Sequence, residues 1–443
     1  MLAAGGHCAC VARLEAPWTD PVAALARFAD EPYAALLLSG RGGWSYLLRQ
    51  PDAVGSAIED LSGLLGPPAA GADDPPFQAG VLGLAAYELS ARLEPTAPQG
   101  RDPDWPDLTL ARYPALVAFH IDRRRVVAIG RGADAAAAET RARVARSWLD
   151  APPPAPPADG PLARTVDVST PPARHAAAVA HTVARIAAGE IFQANLARPW
   201  RGRLAAGRTP FDLFRRLART SPASYAAYLR LPGRAVVSNS PERFLSVRGD
   251  HVETWPIKGT RPRGSDPAGD EALARELLAS AKDRAENLMI VDLMRNDLAR
   301  VCAPGSVEVP ELAALRTYAN VHHLVSRVRG RLAAGRSAWD AFLAAFPPGS
   351  ITGAPKLQAM KVIADHEPPR GPYCGSLFWA GLDGALEASV LIRTVALVED
   401  PAGWRFEARA GGGIVADSDP QAETAETEHK ISAILAALEG EGP

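Results

Sequence analysis

Only five of the 48 basic residues are lysines: Lys258, Lys282, Lys356, Lys361 and Lys430. Arg is effectively never neutral, whereas a buried Lys can lose its proton and attack as an amine. Lys258 stands between Ile257 and Gly259 in PIKGT, after a strand-like run. Desolvation there would lower its pKa toward nucleophilic use; a solvated loop lysine is the other reading. Glu242, in SPERF, lies 16 residues earlier with strand-like runs around it. The two could face one cleft as acid and nucleophile.

A second constellation lies near the C-terminus. Asp417-Ser418-Asp419-Pro420 supplies a capping acid and a first-turn Pro. Glu423, Glu426, Thr427 and Lys430 follow at i, i+3, i+4 and i+7, on the face continued by Ile431, Ile434 and Leu438. Carboxylates on a core-facing stripe need partners, and a hard cation such as Mg²⁺ suits them. An anionic substrate would suit Lys430; a surface charge ladder is the alternative. Glu286 repeats the theme beside Met289, Ile290 and Leu293. PGSITGAPK, residues 348–356, enters a helix with Thr352 near its start, either an anion site or an ordinary capped helix. Gly411-Gly412-Gly413 could admit a ligand to the backbone or simply end a strand. His322-His323 reads as one core and one surface residue. Arg393 reads as a buried charge in an apolar strand, which calls for a carboxylate or phosphate partner.

These residues need a scaffold. Helices are expected over Pro21–Ala29, Ala133–Leu149, Pro171–Ala188, Asp270–Asn296, Pro355–Asp365 and Pro420–Leu438. Strands are expected over Tyr33–Leu38, Arg112–Ile121, Arg125–Gly130, Gln193–Pro199, Ser224–Arg230, Arg234–Asn239, Arg243–Arg248, Ser376–Leu382, Leu386–Leu397 and Trp404–Ala410. That pattern is α+β, with antiparallel sheets and helices on their outer faces. APPPAPPADGP, from residue 151, separates segments 1–150 and 166–440 by a Pro-rich stretch over 151–165.

The bulk numbers exclude other classes. A net charge of −2 argues against nucleic-acid and anionic-membrane binding. The 38 Gly and 40 Pro argue against a helical bundle. Cys8, Cys10, Cys302 and Cys374 show no zinc-ligand spacing and read as free thiols. Met1–Trp18 does not read as a signal peptide and no run is long enough to span a membrane, so a cytoplasmic protein is expected.

Eight segments, in order, resemble the chorismate-utilising enzymes, a family of anthranilate, aminodeoxychorismate, isochorismate and salicylate synthases. They are SPERFLSV, PIKGTRPRG, DRAENLMIVDLMRNDLARV, VHHLVSRV, PPGSITGAPKLQAM, LIRT, AGGGIVADSDP and ETAETEHK; PFQAGVLGLAAYEL resembles the amidotransferase-coupled branch. The resemblance implies two large, orthogonally packed, mostly antiparallel sheets with the site between them. Segment 1–150 would contribute strands, and the Pro-rich stretch would be a crossing loop. Isochorismate and salicylate synthases use a Lys base to activate water where IFQANLAR has Gln193, which cannot act as a base. Anthranilate synthases resemble PIAGT, whereas PIKGT marks the aminodeoxychorismate branch; an anthranilate synthase large subunit is the nearest rival.

The resemblance also implies roles. Lys258 would be a covalent nucleophile and Glu242 the acid that assists hydroxyl loss. Glu286 and Glu426 would bind Mg²⁺, with Glu423 acting through water. Thr352, Arg393, Gly412, Gly413 and Lys430 would hold chorismate, with His323 near the reacting ring. Ser39, Ser224 and Tyr225 resemble a tryptophan pocket of relatives. The sequence carries no Cys/His glutaminase constellation, so ammonia would come from a glutamine amidotransferase subunit or from solution.

Overall fold

The structure, a computed structural model, describes residues 9–40, 42–69, 74–155, 159–318 and 321–440. Two sheets dominate it, one of 12 strands and one of 10. Every strand pairing within them is antiparallel, in line with the α+β expectation.

Alternation along the strands builds the layers. Tyr46, Leu48, Leu116 and Ala118 of the larger sheet meet Leu82, Leu84, Leu377 and Trp379 of the smaller one in one core. Leu47, Val117 and Phe119, pointing the other way, pack with Phe211, Phe214, Ile431 and Ile434 of helices Pro210–Thr220 and Pro420–Glu439. A further core joins Phe244 and Phe378 of the smaller sheet to Ile290, Val291 and Phe342 from helices Ala281–Ala299 and Ala338–Ala345. Burying one such Leu or Phe contributes about 1.5–3 kcal/mol, and the period of two supplies these cores from both strand faces.

Both sheets mix early and late segments. Ala35–Leu37 pairs with Tyr225–Leu231, and Gly80–Ala85 pairs with Ser376–Gly381. Two expected strands are in fact each broken by a change of sheet. The run Arg112–Ile121 divides at Pro114: Leu108–Tyr113 belongs to the smaller sheet and Ala115–His120 to the larger. Pro cannot donate to a ladder, so the junction falls there. The run Leu386–Leu397 divides into Leu386–Val390 and Thr394–Asp400, with Arg393 at the junction in a left-handed conformation (φ 49°).

A third crossing runs the opposite way, through Pro241 and Glu242, between Arg234–Ser240 and Arg243–Arg248. The last two crossings lie side by side. Val390 N–H donates to Glu242 O at 3.1 Å and Asn239 N–H donates to Arg393 O at 3.0 Å.

The expected helix over Asp270–Asn296 is two, Pro267–Ala279 and Ala281–Ala299. Ser280 divides them with extended dihedrals, and its hydroxyl accepts from Asp283 N–H. The other helices lie within a few residues of expectation. Asp419 caps the last one by accepting from the N–H groups of Gln421 and Ala422. Cys10, Cys302 and Cys374 are free, and Cys8 lies outside the described residues. Among the described residues no helix is long and apolar enough to cross a membrane.

Candidate active site

Glu242 enters from the sheet crossing. It is buried, and Ser350 Oγ donates to its Oε1 at 2.6 Å. Burial pushes its pKa up to about 7, against the hydrogen bond from Ser350 and the charges of Lys258 and Lys430. A carboxyl group that keeps its proton near neutrality can act as an acid.

Lys258 lies on the short strand Ile257–Pro262 against Val321–Arg331. The register slips between Lys258 and Thr260, so Gly259 forms a bulge with φ 83°. A side chain at Gly259 would also press on Leu277 and Asp283. Among the described residues, nothing forms a hydrogen bond or close ion pair with Lys258 Nζ. Desolvation lowers its pKa; Lys430 works in the same direction, while Glu286, Glu242 and Glu426 oppose. An unpartnered amine pushed toward neutrality is equipped for nucleophilic attack.

Glu286 flanks the buried seam of its helix, Asn287, Ile290, Val291 and Met294, rather than lying within it. Burial raises its pKa, with Lys258 and Lys282 opposing. From the terminal helix, Glu423 is buried and accepts from Ser418 Oγ at 2.6 Å. Its Oε2 would lie 2.9 Å from a Cβ at Gly412, so glycine lets the carboxylate approach the backbone. Glu426 and Lys430 stand half-exposed at the edge of the stripe, 2.5 Å apart. Burial would raise the Glu426 pKa, but Lys430, Lys258 and Lys282 outweigh it and leave the pKa lowered. Lys430 Nζ also donates to Gly411 O at 2.9 Å.

Sequence reasoning gave Lys282 no role. Its ammonium lies 3.6 Å from Glu423 and 4.0 Å from Glu286. The i,i+4 spacing to Glu286 was visible in the sequence; Glu423, on a distant helix, was not. Glu286, Glu423 and Glu426 offer hard oxygen donors, and an ammonium already sits between the first two, which is chemistry that suits a cation. Among the described residues no three His, Cys, Asp or Glu side chains are grouped at metal-ligand spacing.

Across the site, Arg393 is half-buried and has no ion pair or side-chain hydrogen bond among the described residues. Desolvation lowers its pKa. The apolar-strand reading is corrected to a sheet junction, between Leu386–Val390 and Thr394–Asp400. His322 and His323 are both buried, not one core and one surface. His322 bonds Asp270 and Thr317, and His323 Nδ1 lies 2.9 Å from Thr260 Oγ1. Burial, then Arg393, pushes the His323 pKa down to about 4, so the ring is neutral near pH 7.

Gln193 is fully buried, and both ends of its amide lack partners among the described residues. A Cβ at Gly413 would fall 2.9 Å from that amide. Thr352 is buried, but its hydroxyl donates to Pro348 O at 2.8 Å, so it braces its own loop and keeps only lone pairs for a ligand. Lys356 ties that loop to the helix behind it, donating to Asp297 Oδ2 at 2.7 Å.

Beyond Ala35–Leu37, Ser39 lies beside Ser45, its N–H donating to Ser45 Oγ at 3.1 Å, and it is the next residue, Gly40, that approaches Ser224: a Cβ there would lie 3.1 Å from Ser224 Oγ. The Tyr225 hydroxyl is held by Arg243 and Glu387. A cavity of about 250 Å³ lined by Arg174, His175, Leu196, Glu367 and Arg409 includes none of the expected site residues. The site is therefore recognised by its converging side chains.

The sequence and fold that carry these side chains match a known family. The model of the chorismate binding enzymes matches residues 52–436, and the chain belongs to that family. Anthranilate synthase component 1 of Streptomyces coelicolor is 41% identical over 386 residues, 82% of this chain and 73% of the relative. Aminodeoxychorismate synthase component 1 of Salmonella typhimurium is 40% identical over 373 residues, 83% of this chain and 78% of the relative. The crystal structure of anthranilate synthase component I from Streptococcus pneumoniae superposes with a TM-score of 0.75 at 26% identity, covering 98% of this chain and 93% of that one.

Proposed function

We propose that this chain is the large subunit of an aminodeoxychorismate synthase, converting chorismate and ammonia to 4-amino-4-deoxychorismate, a precursor of 4-aminobenzoate and folate. The observation that carries the reading is Lys258: an amine without a hydrogen-bond partner, its pKa lowered by desolvation, in a site with the protonatable Glu242.

Lys258 Nζ forms a bond to ring carbon 2. The two ring double bonds each move one position, and the C–O bond at carbon 4 breaks. Glu242 delivers the proton with which the hydroxyl leaves as water. Ammonia then bonds to carbon 4, the double bonds move back, and the bond from carbon 2 to Lys258 breaks. Arg393 and Lys430 hold substrate carboxylates, and the Gln193 amide replaces the base that water attack would require. Glu286 and Glu426, with Glu423 through water, would hold a Mg²⁺ ion. That ion would anchor a substrate carboxylate and offset its charge.

Incubation with chorismate, Mg²⁺ and ammonium tests this, read by product mass and absorbance. The expected product is 4-amino-4-deoxychorismate. Anthranilate would assign the chain instead to the reaction named for the Streptomyces coelicolor relative. Glutamine should be used only when a separate glutaminase subunit is added; robust glutamine turnover by the chain alone would contradict that partnership.

A further inference from the structure

Arg370 belongs to none of the groups above. It follows the helix Lys356–His366 and is 3% exposed. Its guanidinium donates to Ile351 O at 3.3 Å, to Asn195 O at 2.6 Å, and twice to Glu367, at 2.9 and 3.0 Å. Glu367 also accepts from Ala197 N–H at 2.7 Å. The backbone N–H groups of Arg370 and Gly371 donate to the buried Glu88, at 2.6 and 3.0 Å. Arg370 therefore joins four separate segments of chain.

Two of those segments face the reaction. Ile351 directly follows Ser350, whose hydroxyl holds Glu242. Asn195 is two residues from Gln193, and its N–H donates to Thr352 O at 2.9 Å. A plain core ion pair needs only Glu367, and such pairs contribute little net stability over well-packed apolar residues. Arg370 spends further donors on two carbonyls that only a planar, forked cation can reach together.

We propose that Arg370 is a positioning residue for the acid: by fixing the carbonyls of Ile351 and Asn195 it sets Ser350 against Glu242. This rests on the reading of Glu242 as the acid. The hydrogen bond from Ser350 favours the ionised carboxyl, so losing it raises the Glu242 pKa further above its value of about 7. The acid must be protonated to work. Activity therefore falls as pH rises through that pKa, and weakening the clamp moves the fall to higher pH. The charged groups that bear on Glu242, Lys258 from its strand and Lys430 from the terminal helix, are untouched by the variants.

The test follows chorismate consumption with ammonium as a function of pH. Arg370→Lys keeps the charge beside Glu367 but loses the fork. It should lower kcat about tenfold with KM for chorismate nearly unchanged, and shift the high-pH limb upward. Ser350→Ala should shift the limb the same way, and the double variant no further than either single change. A limb that stays in place in Arg370→Lys, or additive shifts, overturns the proposal. Should Arg370→Lys fail to fold, Glu88→Gln, which loosens the Arg370 backbone, should give a smaller upward shift; an unmoved limb overturns the proposal equally. An error in the aminodeoxychorismate reading appears separately, as a different product from the unaltered protein, and leaves the pH comparison valid.

Discussion

Lys282 and Glu423, on helices more than a hundred residues apart in sequence, stand 3.6 Å apart, ammonium to carboxylate. The lysine occupies a position that suits a metal ion, tethered and half-exposed. Lys282→Met should therefore let Mg²⁺ bind more tightly. A pair whose lysine end stays in solvent and whose charges are 3.6 Å apart contributes on the order of 1 kcal/mol, so the gain is about fivefold. The metal-free variant should also melt at a lower temperature. Calorimetric Mg²⁺ titration and thermal melting read both, and an unchanged affinity would remove Lys282 from the metal's competitors.

Glu286→Gln and Glu426→Gln should raise the Mg²⁺ requirement and cut activity at least about tenfold, as losing a metal ligand does. Titrating activity against Mg²⁺ separates the two effects. Full activity in EDTA would dispose of the metal proposal.

Lys258 should be trapped on chorismate when ammonia is withheld, adding the mass of the substrate less one water to its peptide. Lys258→Ala should abolish that adduct. Lys258→Arg should not restore turnover, because guanidinium stays protonated. Substantial aminodeoxychorismate formation by Lys258→Arg would reduce the residue to an electrostatic role.

Glu88 gives a stability prediction with a definite sign. Burial raises its pKa from 4.5 to about 7 in the folded chain, despite two backbone N–H donors. A raised carboxyl pKa favours the fold below about pH 4.5 and loses that contribution as pH rises through 7. Glu88→Gln should flatten this decline by an amount on the order of 3 kcal/mol. Denaturant melts at about pH 5 and 8 measure it. An identical decline in the variant would show that Glu88 is not its source.

Lys356 and Asp297 form a buried pair. Lys356→Met would strand the Asp297 carboxylate and should destabilise the protein by about 3 kcal/mol, visible as a lower Tm. The double change Lys356→Met, Asp297→Leu should recover most of it. No recovery would place the loss in packing instead.

Much of this was legible because local chemistry and tertiary role agree. Asp419 and Pro420 mark the start of the last helix, and its acids lie one stripe from Ile431 and Ile434. Lys258 stood out because Arg serves almost everywhere else. Illegible features were those that only tertiary contact creates. A run of alternating apolar residues reads the same whether or not the chain changes sheets within it, so the junctions at Pro114 and Arg393 were hidden. Ser280 breaks a helix without Gly or Pro, through a hydroxyl that caps the next one. Ser350 and Arg370 carry no periodic signal, because each acts through a partner far away in sequence.

The interleaving of early and late strands has a consequence during synthesis. The strand Gly80–Ala85 must wait for Ser376–Gly381, roughly 290 residues later, before its ladder on that side is complete. Ala35–Leu37 likewise waits for Tyr225–Leu231. Much of the first third of the chain therefore leaves the ribosome with open strand edges and apolar faces that no local partner can cover. Such a polypeptide should fold after translation rather than alongside it, and be a regular client of chaperones that shield nascent chains.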